Sequence, residues 1–572
     1  MAVEKLIVDH IDTWTTALQT RSTAGRGSSG KIDLYGIKKL RELILELAVR
    51  GKLVPQDPND EPASVLLRGM KKQQEVLIKD KKIKKPKKLP PIDEILESIS
   101  IPQGWELCYL NDIGDWGAGA TPNRTNSGYY GGNIPWFKSG ELSEDYITDS
   151  EEHITALALK ECSLRDNQPG DVLIAMYGAT IGKTSILNTR STSNQAVCAC
   201  TPFDGLSNQY LLTFLKASKR VFTSMGAGGA QPNISKEKIV ATQFALPPLK
   251  EQLRIVEKVE QLMSLCDQLE QHSLTSLDAH QQLVDTLLTT LTESQNADEL
   301  AGNWARISEH FDTLFTTEAS IDALKKTILQ LAVMGKLVPQ DPNDEPASEL
   351  LKRIAQEKAQ LMKDGKIKKQ KQLPPIGDEE KPFELPDGWE WCRIGNLVNI
   401  RPELVAPDEY QSLPQIAPDI IEKGTGKVTA KRTVKESGVK GPNSRFYKGQ
   451  IVYSKIRPSL SKAFLAEYDG LCSADMYPLD CFIDRSYLLK SILSEFFLIQ
   501  VRQAENRIKM PKLNVESFSN ILVTVPPSNE QQKIIMKLAA IDAFCDKAKS
   551  LIQSAQQTQL HLADALTDAA IN

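Results

Sequence analysis

Two stretches of the 572-residue chain carry residue types that could do chemistry, but each has the wrong pattern for it. A methyltransferase that grips a flipped adenine uses Asn or Asp, two prolines and an aromatic residue. The nearest match, Asn133–Trp136 (NIPW), lacks the first proline. Gly178–Thr184 (GATIGKT) resembles a phosphate-binding loop, but it has three residues between its glycines where four are needed. We predict a strand end with a packed tryptophan for the first stretch and a turn for the second.

Acids, histidines and cysteines also lack the spacing of an active site. Asp419 and Glu422 hint at a nuclease motif, but they are too close together and no Glu-x-Lys follows. The six histidines are dispersed along the chain. Cys198 and Cys200 form too tight a pair for zinc, with no second pair nearby. We predict no catalytic residue, no metal site and no cofactor site in this chain.

Polar loop residues at the edges of apolar runs have a different chemistry, that of nucleic-acid contacts. Phosphates are bound by Lys, Arg and small polar groups, whereas Arg suits guanine and Asn or Gln suits adenine. In the first of two regions, the candidates are Thr121, Asn123, Arg124, Lys138, Thr180, Lys183, Asn194, Gln195, Gln231, Asn233 and Lys236. In the second they are Lys440, Arg445, Lys455, Arg457, Lys462, Arg507, Lys509 and Lys512. For any one of them, the alternative is an ordinary solvated loop residue.

The bulk composition is that of an ordinary multidomain protein. It is 41% hydrophobic and 25% charged with a net charge of −4, and no run is long enough to cross a bilayer. The length suggests roughly three to five domains. The nine scattered cysteines fit a reducing compartment, so we expect a cytoplasmic protein without membrane contact.

An internal repeat organises the elements that must position these residues. Leu47–Leu67 and Leu331–Leu351 are identical at 19 of 21 positions, at an offset of 284. In each copy an apolar helix is followed by glycine, then by a loop that reads KLVPQDPNDEP, then by a second helix. The same offset reaches Trp105 and Trp389, which we predict to be core anchors.

Beyond those tryptophans the two copies diverge, and they converge again at an offset of 279. We call residues 101–247 the first head and residues 385–526 the second head. The Gly/Ser-rich Thr23–Gly30 belongs to a 16-residue insert of the first copy only and is predicted to be a flexible loop. The lysine runs Lys79–Pro91 and Lys363–Pro375 are predicted to be solvated linkers, with phosphate contact as the alternative.

A long helix follows each head. Ile255, Val259, Leu262, Cys266 and Leu269 step by four and three residues. The second copy keeps the same register from Ile534 to Ala548, and we predict that its seam continues through Ile552, Ala555, Leu562 and Leu566. Each helix would run about 40 residues, or about 60 Å. Two variable heads on such a spacer could read two separate sites at a set distance. On DNA, successive major grooves lie about 34 Å apart.

The predicted fold class is α+β. Two mixed α/β recognition domains are joined by long helices packed as an antiparallel coiled coil, with a pseudo-two-fold internal repeat. The predicted segments are a helical region with its insert and linker (1–100), the first head (101–247), a central spacer helix (248–292), a second helical region (293–384), the second head (385–526) and a C-terminal spacer helix (527–572).

Several motifs resemble the specificity subunit of Type I restriction–modification enzymes over residues of about 35–292 and 320–570. In the first half they are Thr121-Pro122, Tyr129–Gly132, Ile134–Trp136, Lys138–Gly140, Gly178–Lys183, Asn194-Gln195, Gln231–Ser235 and the PPLKEQ that begins the long helix. In the second half they are Ser454–Phe464, Cys472–Pro478 and Met510–Asn514. The doubled GKLVPQDPNDEPAS loop is similar to that of one subgroup of these subunits.

The resemblance implies a non-catalytic reader of double-stranded DNA. Each head, as a target-recognition domain, would bind one half of a bipartite, gapped and asymmetric target, and the candidate residues above would make the contacts. The conserved helices would dock two modification subunits that carry S-adenosylmethionine. Restriction subunits with ATP-driven translocase and nuclease activity, and their Mg, would join that core. The alternative is a coiled-coil scaffold whose heads bind proteins or other ligands.

Overall fold

The structure is a computed structural model that describes residues 3–21, 31–92, 101–226, 232–368, 371–504 and 511–571. The chain divides into two compact units. Unit 1 comprises Met1–Ser276 and Ala555–Asn572, and unit 2 comprises Leu277–Ser554. The first long helix, Leu249–Glu293, begins in unit 1 and ends in unit 2, whereas the second, Ser528–Ile571, does the reverse.

Unit 1 contains the first head. Its shorter helices are Val3–Asp9, Ile11–Thr16, Tyr35–Val49, Ala63–Lys79, Ala156–Glu161, Asn208–Ala217, Lys219–Gly226 and Lys236–Val240. A five-stranded sheet has the order Gly114–Ala118, Val197–Pro202, Val172–Ala175, Thr184–Leu187, Tyr146–Ile147. A three-stranded sheet has the order Thr192–Ser193, Tyr130–Phe137, His153–Ile154. Glu106–Tyr109 pairs antiparallel with Gln243–Leu246, so the strands on which the head begins and ends are neighbours.

Unit 2 contains the second head. Its shorter helices are Ala297–Glu309, Phe311–Leu314, Glu318–Val333, Ala347–Lys363, Ile394–Leu397, Val434–Ser437, Arg485–Leu493, Glu495–Ala504 and Val515–Asn520. One four-stranded sheet has the order Val398–Ile400, Met476–Cys481, Ile451–Ser454, Ala463–Leu465. Another has the order Glu403–Val405, Asn443–Phe446, Gly470–Ser473, Gln415–Ile416. Glu390–Arg393 pairs antiparallel with Leu522–Val525.

The central sheet is the same in both heads. The first four strands of the five-stranded sheet in unit 1 and the first four-stranded sheet in unit 2 have matching positions and the same neighbour order. Their registers match too, since Val197 pairs with Ala175 and Met476 pairs with Ser454, both at an offset of 279. The second small sheet in unit 2 and the three-stranded sheet in unit 1 differ in strand order. The heads therefore share a core and differ around it.

The repeated loop makes the same contacts in both copies. Gly51 and Gly335 have φ of +65° and +73°, which suits glycine after a helix. Gln56 donates to Gly51 O and to Glu251 Oε1 at 3.1 Å. Gln340 repeats both bonds with Gly335 and Glu530. The loop thus fastens the repeat helix to the first turn of the long helix.

Ion pairs and one lysine complete this attachment. Arg254 pairs with the buried carboxylate of Asp60 at 2.6 Å, and Lys533 pairs with Asp344 at 3.3 Å. Lys336 Nζ donates to Thr292 O at 3.0 Å, at the end of the first long helix. At the matching position, Lys52 donates to Ile571 O, at the end of the second. A lysine beside the last carbonyls of a helix suits the helix dipole.

The predicted apolar seam is buried over much of each long helix, but its continuation in the second helix is wrong at two positions: Ala555 is exposed and Leu562 is 45% exposed. In unit 1, Ile255, Leu262 and Cys266 are at most 2% exposed. In unit 2, the last turns of the first long helix (Val284, Leu288 and Leu291) share one hydrophobic cluster with Ile534, Leu538 and Cys545 of the second. Burying a side chain of this size contributes roughly 1.5–3 kcal/mol. These clusters hold the helices more firmly than helix propensity does.

The second repeat helix also fastens the second head. Lys358, on the helix Ala347–Lys363, is 8% exposed and donates to the carbonyls of Gly395, Asn396 and Val398 at 2.8, 3.3 and 3.1 Å. Burial lowers the pKa of Lys358 to about 8. At the matching position in the first copy, Gln74 donates to Asn111 O at 3.1 Å.

The tryptophans and the glycine-rich turn have the surroundings that the sequence predicts. Trp105 and Trp389 are each 5% exposed, which confirms them as core anchors. Trp136 is buried near the end of a strand, and Gly178–Thr180 forms a short 3₁₀ turn, both as predicted. The Gly/Ser-rich Thr23–Gly30 lies outside the described residues, between two paired strands, Gln19–Arg21 and Lys31–Asp33.

Candidate nucleic-acid interface

Hydrogen bonds gather the candidate loops of the first head at one end of its sheets. They run from Ala120 N to Ser193 O, from Asn194 N to Phe137 O, from Lys183 Nζ to Gly140 O and from Gly178 N to Pro232 O, at 2.8–3.3 Å. A side chain at Gly119 would meet the carbonyl oxygens of Ser193 and Asn194 at 2.2 and 2.4 Å. The absence of a side chain at Gly119 therefore allows two of these loops to lie against each other.

Arg124 and Lys138 meet at one carboxylate. Arg124 Nη1 lies 2.7 Å from Glu152 Oε2, and Lys138 Nζ lies 2.6 Å from Glu152 Oε1. The pKa of Glu152 is lowered because Lys138 and Arg124 both donate to it. The Arg124 guanidinium also lies over the rings of Tyr130 and Trp136, 4.8 and 5.0 Å from their centroids. This face presents two cations that one acid holds side by side.

Thr180 and Asn233 lie at the turn after strand Val172–Ala175. Thr180 Oγ1 donates to Tyr177 O at 2.6 Å, and Tyr177 itself is 41% exposed. Asn233 is bridged to Tyr177 through the backbone, and its side chain is exposed. Lys236 Nζ donates to Trp116 O at 3.4 Å.

The amide and hydroxyl candidates bond largely to their own turns. Thr121 Oγ1 donates to Gln195 Oε1, and Asn194 Oδ1 accepts from Ala196 N at 3.1 Å. Asn123 Oδ1 accepts from Thr125. Gln231 lies outside the described residues. The structure thus brings the described candidates of the first head into linked loops, and it fixes several of them by local bonds.

In the second head, Lys455 and Lys512 also meet at one carboxylate. Their Nζ atoms lie 3.9 and 3.1 Å from Asp475 Oδ1. Lys455 additionally lies over the Tyr477 ring, 5.2 Å from its centroid. As in the first head, two cations from different loops share one acid.

Arg457 stands beside this pair. Its backbone N–H donates to Pro511 O at 2.9 Å, and the neighbouring Ile456 is bridged to Lys512. Arg457 is exposed, and its φ of +45° is left-handed.

The remaining candidates of the second head have diverse surroundings. Lys462 Nζ donates to Pro418 O, and burial lowers its pKa. Arg445 lies over the rings of Tyr410 and Tyr447, and its Nη1 is 3.9 Å from Glu403. Arg445 is therefore packed among its own sheet's neighbours, apart from the Lys455–Lys512 pair. Lys440 is exposed, and Arg507 and Lys509 lie outside the described residues.

The same turn occurs in both heads, with different side chains. Gly178 N donates to Pro232 O, as Arg457 N does to Pro511 O. Ala175 N donates to Lys183 O, as Ser454 N does to Lys462 O. Every one of these pairs is related by an offset of 279. One backbone frame therefore presents a bare glycine in one head and an arginine in the other.

Sequence reasoning missed the two acids that organise these cations. Glu152 is 14 residues from Lys138, and Asp475 is 37 residues from Lys512, so neither pairing is visible in a local motif. The signal that could have found Asp475 is its place in CSADMYP, next to the strand that pairs with Ile451–Ser454. Tyr177, an exposed aromatic residue at the turn, was missed too.

Within the described part of the chain, no group of three or more His, Cys, Asp or Glu side chains is placed to hold a metal ion. Likewise, no helix among those residues is long and apolar enough to span a membrane. The nine cysteines are free thiols.

Comparison with known proteins gives the family. Residues 102–279 and 386–556 match the family described as Type I restriction modification DNA specificity domain. The chain is 45% identical to the Type I restriction enzyme EcoAI specificity subunit of Escherichia coli, over the whole of both chains. It is 44% identical to the EcoEI specificity subunit of Escherichia coli, again over the whole of both.

A solved structure of the HsdS subunit from Thermoanaerobacter tengcongensis shares 15% identity, with a TM-score of 0.39, and the match covers 83% of this chain and 98% of that one. The identity to the two Escherichia coli proteins extends through both heads and both long helices. The chain therefore belongs to the family of Type I restriction–modification specificity subunits.

Proposed function

We propose that this chain is the non-catalytic DNA-reading subunit of a Type I restriction–modification complex, and that its heads bind the two halves of a gapped, asymmetric target. The observation that carries this proposal is the turn shared by the heads. The backbone bonds of Gly178 and Arg457 are the same, whereas the side chains differ. A common frame with different side chains suits the reading of two different base sequences.

The cation pairs supply the sequence-independent part of binding. Arg124 with Lys138, and Lys455 with Lys512, each lie around one carboxylate in the free chain. A DNA phosphate carries the same charge as that carboxylate and accepts the same hydrogen bonds. The amides at Asn194, Gln195 and Asn233 are the groups suited to adenine.

The long helices would set the gap. They contain 45 and 44 residues, so each is about 66 Å long. In unit 2, the end of the first lies against the start of the second, since Leu288 and Leu291 share a cluster with Ile534. We infer an antiparallel coiled coil with pseudo-two-fold symmetry from this arrangement and from the matched contacts of the repeated loop.

The same helices would dock the partner subunits. Exposed apolar side chains occur on both, including Leu253 at 52%, Met536 at 66% and Leu551 at 63%. Such side chains favour a protein partner where they are contiguous. We propose two modification subunits, with S-adenosylmethionine, as the partners of the two equivalent halves. Restriction subunits with ATP and Mg would complete the complex in the cytoplasm.

Selection on random-sequence duplexes tests the proposal. The chain, copurified with its modification subunit, is expected to enrich two short fixed motifs separated by a constant gap. Exchange of residues 105–246 for those of a relative with another target should change one half-motif and leave the other half-motif and the gap intact. Enrichment of no motif, or binding of the heads to protein alone, would favour the scaffold alternative.

A further inference from the structure

Two residues of the second head adopt a backbone conformation that normally belongs to glycine. Arg457 and Ser461 have φ of +45° and +49°. At the matching positions of the first head stand Gly178 and Gly182, with φ of +61° and +80°. Among the described residues, the only other non-glycine with positive φ is Lys81. Two of the three such residues thus lie within one five-residue turn.

This conformation is costly for an L-residue, and the first head shows that glycine fits the same turn. Strain that surrounding structure enforces is concentrated at functional sites, where the side chain is worth its cost. Here the frame is over-determined, because Arg457 N is held by Pro511 O and Leu460 N by Arg457 O, both at 2.9 Å. The sequence therefore keeps a side chain at a place where glycine would be more stable.

The space in front of this turn is open. A Cβ built on Gly178 meets no atom within 4 Å. In the second head the Arg457 side chain projects from the equivalent place, and it is exposed. Within the described residues it forms no ion pair with an acid. The pKa of the neighbouring Lys462 is lowered mainly by burial and, to a lesser extent, by the positive charge of Arg457. Because the side chain is exposed, its guanidinium donors are accessible to a ligand.

Its surroundings are basic. The Lys455–Lys512 pair is attached to the same turn through Ile456. Lysines that hold phosphates would set the register of a duplex, and an arginine on the same turn could then reach the adjoining groove. Arginine donates in bidentate fashion to O6 and N7 of guanine in the major groove.

We propose that Arg457 reads a guanine at one fixed position of the half-target bound by the second head, and that the first head reads no base with the bare turn at Gly178. This inference rests on the proposed function. It deepens that function by assigning one base to one side chain.

The test uses the full chain with its modification subunit and compares the native protein with Arg457→Gly, which copies the first head, and with Arg457→Lys. One good bidentate pair gives a discrimination of roughly 5- to 140-fold. Arg457→Gly is expected to lose the requirement for guanine at one position and to bind the native target more weakly by the same factor. The base preference at every other position should stay unchanged. Arg457→Lys should keep the part of the affinity that comes from the positive charge, but lose most of the preference for guanine over other bases.

Lys81→Gly is the matched control. Lys81 has φ of +58°, and its counterpart in the second copy is Gly365. This change removes the same strain outside the heads and should leave the selected motif unchanged. A raised thermal midpoint in both glycine variants shows that they fold. If Arg457→Gly selects the native motif with native affinity, the assignment of guanine to Arg457 is wrong, but the proposed DNA-reading function is not affected. If the native chain selects no motif, both the assignment and the proposed function are wrong.

Discussion

Lys358 should make the stability of the second head depend on pH in the alkaline range. The ordinary pKa of 10.5 is lowered to about 8 by burial, so the folded chain releases this proton before the unfolded chain does. Between those values the unfolded state binds more protons, and the free energy of unfolding therefore rises with pH. For this one group the rise is about 1 kcal/mol from pH 7 to pH 9 and about 2 kcal/mol by pH 10.

Lys358→Gln isolates that contribution, because Gln74 shows that an amide serves at the matching position of the first copy. Since lysine, tyrosine and cysteine side chains in general titrate in alkaline solution, the quantity to measure is the difference in unfolding free energy between the native chain and the variant. The variant buries no charge, and its amide has two donor hydrogens, so it can keep at most two of the three carbonyl bonds. At pH 7 the free energy of unfolding of the variant is expected to exceed that of the native chain. This difference should disappear as the pH rises to 10.

Denaturant unfolding followed by tryptophan fluorescence, at pH 7, 8, 9 and 10, gives this difference. Lys363→Gln, an exposed position on the same helix, is the matched control and should show no trend. A difference between Lys358→Gln and the native chain that stays constant over this range would refute the reasoning. It would mean that the three carbonyl acceptors replace the water around the ammonium completely, and that the pKa of Lys358 is close to its ordinary value.

Three further changes have expected outcomes. Glu152→Gln removes the negative charge that Arg124 and Lys138 share. The free energy of unfolding should change by less than about 1 kcal/mol, whereas the affinity for non-specific DNA should rise and its salt dependence should steepen; unchanged binding would contradict that role. Arg254→Ala strips the buried Asp60 carboxylate of its cation and should cost about 2 kcal/mol in unfolding experiments, which Asp60→Asn should partly restore. Inserting seven residues between Leu269 and Leu291 adds two helical turns, or about 10 Å. The selected gap should lengthen by about three base pairs while both half-motifs stay the same. A changed half-motif would contradict the role of the helix as a spacer.

How much the sequence reveals depends on the range over which each interaction acts. The long helices and their buried seams follow from periodicity alone, since Ile255, Leu262 and Cys266 are neighbours on one helical face. The anchoring of Trp105 and Trp389 follows from their place in a repeat. Both inferences use residues that are close in the chain or aligned between copies.

The candidate surface was only partly predictable for the same reason. Residue type placed Lys455 and Lys512 in a basic set, but the acid that joins them lies on a third loop, and only the sheet register brings it there. Arg445 has the right type, yet two tyrosine rings and Glu403 surround it. The left-handed backbone at Arg457 has no local sequence signal, because glycine is the residue that predicts such a turn and arginine is not.

The strand pairs that open and close each head have a consequence for how such a chain can change. Glu106–Tyr109 leads into the first head and Gln243–Leu246 leads out of it, side by side; Glu390–Arg393 and Leu522–Val525 do the same for the second. The chain therefore enters and leaves each head at adjacent strands, and the whole head lies between them in the sequence. A different head needs only to be compatible with this strand pair. One recombination event on each side of the head can therefore replace the entire recognition surface. The long helices and the lysines that anchor them stay unchanged.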